Sequence, residues 1–188
     1  MPLINLKSAA LLFFFFVIIP GIMEAQQTRI EVTSKPNPVE DTKTNNPQVP
    51  DVYSIESQFE KVLIFRFKYG SELLSGLEQM VKKNNIKNAV ILAGTGSAIS
   101  YHYHAVLNTG FPTKNIFVKD TLSPSDIVSM NGYIVEGRVH AHITFSDADK
   151  AFGGHLEPGT KVFTFAIVTV GVLKDGTDLS RIDDKNIR

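Results

Sequence analysis

Arg138-Val139-His140-Ala141-His142-Ile143-Thr144-Phe145-Ser146-Asp147 alternates apolar and polar side chains, the period of a half-buried β-strand. Val139, Ala141 and Ile143 face one side of such a strand; His140 and His142 face the other, about 6 to 7 Å apart. Two imidazoles at that spacing can share one metal ion. Shortly downstream comes Gly153-Gly154-His155-Leu156, where two missing side chains let the backbone bend and approach a neighbouring strand. His155 can then complete a facial set of three nitrogens. Three protein ligands with an open fourth position form a zinc site that takes water or substrate, whereas a structural site is closed by four. A lone His-x-His pair on a strand is more often two half-exposed imidazoles, so these residues alone leave both readings open.

Working outward, apolar runs at Val62–Phe67, Ala89–Ala93, Ser97–Leu107, Asn115–Thr121, Asp126–Val135 and Lys161–Leu173 read as further strands, with Gly94-Thr95-Gly96 turning the chain between two of them. Leu73, Leu74, Leu77, Met80 and Val81 recur at helical spacing after Ser71, a plausible N-cap, and the helix closes near Asn84-Asn85. In the last strand Val162, Ala166, Val168, Val170 and Val172 share one face while Phe163, Phe165, Ile167 and Leu173 share the other, so both faces need cover. That strand is central, or a partner subunit buries it. Strands in series with one long helix predict an α+β domain, a mainly antiparallel sheet with helical cover on one side.

The flanks read differently. Lys7 followed by the apolar run from Ala9 to Ile19, broken at Pro20-Gly21, has the form of an export signal over residues 1–25, cleaved after Ala25. The run falls short of the roughly 20 residues that span a bilayer, so no stable membrane span is expected after cleavage. Residues 26–52, rich in Gln, Thr, Asn, Lys and Pro, read as a disordered tether, residues 53–174 as the globular domain, and residues 175–188 as a frayed polar tail.

Composition narrows the chemistry. Nineteen basic residues balance nineteen acidic ones, which removes the long-range attraction that a nucleic-acid binder relies on. There is no cysteine, so thiolate sites, disulfides and a Cys nucleophile are excluded. All five histidines lie between positions 102 and 155. His102 and His104, in Tyr101-His102-Tyr103-His104, can form a second site or extend the first, although a solvent-exposed aromatic strand edge is the plainer reading. Asp147 and Asp149 read as solvated turn residues, or as hydrogen-bonding partners of a ligand histidine. Gly94-x-Gly96 lacks a third glycine and Ser97 lacks the Gly-x-Ser-x-Gly elbow, so neither a dinucleotide loop nor a serine hydrolase fits.

Arg138 to Asp147, Gly153-Gly154-His155-Leu156 and Gly159-Thr160-Lys161-Val162 together resemble the signature of the plants-and-prokaryotes-conserved (PPC) domain. The upstream order is similar too: a strand ending at Gly70, a helix, the Gly94–Ala98 turn, and Ile127 to Ile134. The resemblance implies a compact domain that assembles as a homotrimer, with three histidines holding a zinc-type ion, which fall here on His140, His142 and His155. The family's DNA-binding label comes from plant members carrying an AT-hook, and no Arg-Gly-Arg-Pro occurs in this chain. Lys82, Lys83 and Lys87 form the one local basic cluster, read as a helix C-terminus favoured by its dipole.

The expected function is therefore an exported, periplasmic or extracellular module that presents a zinc-type ion to a small-molecule or protein ligand. A metal-dependent hydrolase or lyase using a zinc-bound water is the alternative, with Glu157 or Glu136 as the base to be found beside the metal. DNA binding, as the family label suggests, is the third reading.

Overall fold

The computed structural model describes residues 30–36 and 46–182. The export signal, the remainder of the tether and the end of the tail lie outside the described residues. The elements are β1 (Ile30–Pro36), β2 (Phe59–Lys68), α1 (Leu73–Lys83), β3 (Ala89–Val106), β4 (Lys114–Asp120), β5 (Ser125–Val135), β6 (Arg138–Ser146), β7 (Ala151–Leu156) and β8 (Lys161–Leu173). They form one eight-stranded sheet in which every pairing is antiparallel. No helix among the described residues is long and apolar enough to cross a membrane.

β3 organises the sheet. Its first half pairs with β5 on one edge and β8 on the other, and its second half with β4 and β7. The pairings β3–β5, β5–β6, β6–β7 and β7–β3 consequently close a circuit. Where the sequence predicts two strands separated by a Gly94-Thr95-Gly96 turn, the chain forms one strand of 18 residues. Its direction changes through register irregularities against β8 between Ile91 and Ala93 and between Gly96 and Ser100. Irregularities of this kind bend and twist a strand without ending it.

α1 is short, at 11 residues, so the long helix of the sequence reading is replaced by three turns. Glu72, not Ser71, is its N-cap: its carboxylate accepts from the Ser75 amide at 2.6 Å and from the Gly159 amide at 3.0 Å. Leu73, Leu77 and Val81 are buried, with Leu74 and Met80 packed beside them, and the helix lies against β2 and β6. Burial of each of the three contributes about 1.5–3 kcal/mol.

Two segments depart from the polar flanks expected. Ile30–Pro36 pairs with β4 from Ile30↔Asp120 to Pro36↔Lys114, covering an edge that would otherwise be open. Its apolar residues stay exposed, so main-chain pairing and not burial places it there. Residues 175–182 fold back: Leu179 is buried, the Tyr53 hydroxyl donates to the Arg181 carbonyl at 3.0 Å, and Asn88 Nδ2 donates to the Thr177 carbonyl at 2.7 Å.

β7 is a second strand that sequence patterning misses, because Ala151-Phe152-Gly153-Gly154 has no alternation. It fits between β6 and β3 since a Cβ on Gly153 would sit inside the radius of the Ile143 carbonyl oxygen, and one on Gly154 inside that of the His104 carbonyl oxygen. Gly153 also has φ +155°, a conformation that L side chains rarely adopt. We expect Gly153→Ala to lower stability by about 2–4 kcal/mol. Gly110→Ala, where a Cβ meets nothing within 4 Å, should change it by less than about 0.5 kcal/mol, and denaturant unfolding of the two variants checks the contrast.

Candidate metal centre

Three neighbouring strands carry the histidines in register. His142 on β6 is the direct partner of His155 on β7, and His155 is in turn the partner of His104 on β3. His140 stands two residues along β6 on the face of His142. The row His142, His155, His104 therefore runs across the sheet with His140 beside it. Ring centroids lie 5.6 Å apart for His140 and His142, 4.9 Å for His140 and His155, 5.4 Å for His142 and His155, and 4.6 Å for His104 and His155.

One ligand atom from each of His140, His142 and His155 falls within 4.8 Å of the other two. Tetrahedral zinc with nitrogen ligands at about 2.0–2.1 Å needs donor atoms roughly 3.4 Å apart, a difference that small ring rotations close. The donor set fits a zinc-type ion: all nitrogen, half-exposed on one side, with no thiol or carboxylate inside it.

Electrostatics keeps two of these rings, those of His155 and His142, ready for a metal. Burial pushes the His155 pKa from 6.5 down to about 4, the neighbouring His104 and His140 push in the same direction, and Glu157 opposes them. His142 is lowered as well, first by burial and then by His140 and His104. Neutral imidazoles offer a lone pair where imidazolium would repel a cation.

Below the rings lies an aromatic floor. Tyr101 and Tyr103 point into the core, not outward as a solvent-exposed aromatic edge would, with the Tyr101 ring 4.9 Å from Phe152 and 5.5 Å from Phe145. Desolvation raises the Tyr103 pKa. These rings occupy the inner face of the same strands that present the histidines outward, which fixes the tilt of β3, β6 and β7 together.

The other residues singled out in the sequence divide sharply. His104 joins the cluster, its Nδ1 2.5 Å from Glu157 Oε1. His102 instead holds the Pro158 carbonyl through Nδ1 at 2.8 Å and belongs to neither metal-competent group among the described residues. Glu136 sits in the β5–β6 turn, where its carboxylate pairs with Lys87 Nζ at 3.4 Å, away from the histidines. Asp147 closes its own turn by accepting from the amides of Asp149 and Lys150 at 2.9 Å each, and those bonds hold its pKa below the usual carboxylate value. Solvated turn residues is the reading that fits. His104 could not be assigned from the sequence because its neighbour β7 was not recognisable as a strand.

With this geometry in place, the comparisons with known proteins are direct. The family model of the Plants and Prokaryotes Conserved (PCC) domain matches residues 54–174, and the chain belongs to that family. A Pyrococcus horikoshii plant- and prokaryote-conserved protein is similar in structure, with 25% identity and a TM-score of 0.54 over 67% of this chain and 87% of that one. A metal-containing protein of Archaeoglobus fulgidus shares the fold, with 22% identity and a TM-score of 0.56 over 65% of this chain and 86% of that one. Among curated proteins, a Synechococcus protein named bifunctional protein GlmU is 26% identical over 129 residues, which are 68% of this chain and 19% of that protein. The chain thus spans about a fifth of the length of that relative.

The lowered His155 pKa sets a pH dependence for the metal-free protein. Between about 6.5 and about 4 the unfolded chain holds a proton at His155 that the folded chain does not, so stability falls as pH falls through that window. Calorimetry of chelator-treated protein should show the unfolding midpoint dropping across it, and His155→Gln should flatten the drop.

Proposed function

We propose that this domain binds one zinc-type divalent ion through His140, His142 and His155 and presents it, with an open coordination position, to a small anionic or protein ligand. The observation that carries the reading is the convergence of three imidazoles from β6 and β7, one ligand atom from each within 4.8 Å of the others. Three neutral ligands leave the ion its full double charge, which favours an anionic group in the fourth position. The metal content of the Archaeoglobus fulgidus fold relative agrees with this reading.

A binding module is favoured over a hydrolase or lyase. Among the described residues the Glu157 carboxylate stands nearest, but it bonds to His104 and lies outside the three-histidine group, so it is not placed as a base for an ion held there. DNA binding finds little support, since charge is balanced and Lys87, one of three clustered lysines, is paired with Glu136. Lys7 and the apolar run to Ile19 support delivery to the periplasm or the exterior.

Elemental analysis of the purified protein should find zinc-class metal bound. Single replacement of His140, His142 or His155 by Ala should weaken its affinity by at least about tenfold, since three ligands leave no redundancy. Undiminished metal in all three variants contradicts the assignment.

We also propose a homotrimer. β8 is central within the chain and one of its faces is buried, yet Phe163 and Phe165 on its other face remain 40% and 41% exposed, large apolar side chains that a second copy can cover. Sedimentation at micromolar concentration should give a trimer, and Phe163→Glu with Phe165→Glu should give a monomer; a monomeric parent protein contradicts the proposal.

A further inference from the structure

His104, His155 and Glu157 form a second group of donors. One ligand atom from each lies within 4.8 Å of the other two, and the group meets the three-histidine set only at His155. We propose that these residues make a second divalent-cation site, so that each chain holds two zinc-class ions side by side.

Backbone and side chains both support the site. His104 and His155 are cross-strand partners on β3 and β7, and their rings stack at 4.6 Å, so the sheet itself brings them together. Glu157 follows β7 directly, and its amide donates to the His102 carbonyl at 3.0 Å, which fixes the start of its side chain beside β3. All three are half-buried. His104 Nδ1 and Glu157 Oε1 already meet at 2.5 Å, so an ion seated here takes the place of the proton between them, which leaves to bulk water.

The chemistry of this group differs from that of the first. Two imidazoles and a carboxylate leave positions open to water or ligand, a donor set known for zinc, and the carboxylate cancels one of the two charges of the ion. His155 serves both sites because an imidazole has two ring nitrogens. When both are filled its N–H proton leaves to bulk water, so the second ion binds more weakly than the first and with proton release.

The proposal rests on the three-histidine reading only through His155, and its test separates the two. Zinc titration of the chelator-treated full chain by calorimetry, with elemental analysis after dialysis against zinc, reads the stoichiometry. Circular dichroism shows that each variant is folded, and cobalt(II) absorption gives an independent count of filled sites. The parent protein should bind two ions per chain, while Glu157→Gln and His104→Gln should each bind one. Saturation at one ion per chain overturns the second site. So does retention of two ions in both variants, and so does a single ion weakened by His104→Gln, which would make His104 a fourth ligand of the first site. One ion lost in His140→Ala but untouched by Glu157→Gln rejects this proposal and leaves the three-histidine reading standing. An ion lost in Glu157→Gln with none lost in His140→Ala does the reverse.

Discussion

The close approach of β7 to both β6 and β3 is the constraint on which the site depends. At Gly153 and Gly154 the backbone comes so near the carbonyl oxygens of Ile143 and His104 that no side chain fits. The missing Cβ atoms allow a strand of six residues to be paired on both edges. Because side chains in a strand alternate, seating Gly154 opposite Ile143 obliges His155 to lie opposite His142 and beside His104. A slip of one residue would turn His155 into the aromatic core. The two glycines thus set not only whether the strand pairs but which face its histidine takes.

Legibility in the sequence followed the strength of local pattern. The alternation of Arg138 to Phe145 gave β6 and the shared face of His140 and His142, and the double apolar face of Lys161–Leu173 gave a central strand. The antiparallel α+β class followed from those and from the periodic leucines of α1. What local pattern does not carry is partnership between distant segments. Ile30–Pro36 is held by backbone bonds to β4, which side-chain hydropathy does not report. Ala151–Leu156 is held by the absence of side chains. The role of Glu72 in capping α1 arises partly from the Gly159 amide, far away in the chain. Strand alternation puts His104 on the face of His102, but its contact with His155 needs the β3–β7 pairing.

Crowding four imidazoles on one surface has a physical consequence in the metal-free state. Protonation of His155 is opposed by burial and by the neighbouring His104 and His140, which holds it well below the usual histidine range, and His142 is lowered for the same reasons. The same crowding that disfavours protons favours a divalent ion, since one cation satisfies several lone pairs at once. The aromatic floor of Tyr101, Phe145 and Phe152 fills the inner face of the strands, while the histidines stand together on the outer one. Packing on one face of the strands and coordination on the other are therefore two outcomes of one alternating pattern.

The central claim is that His140, His142 and His155 hold an ion as a unit. Its most direct test is anomalous diffraction at the zinc absorption edge from crystals of the zinc-loaded protein. The account predicts a strong anomalous peak within about 2.0–2.2 Å of one ring nitrogen from each of the three histidines. Zinc bound elsewhere, with these three rings left uncoordinated, would contradict it.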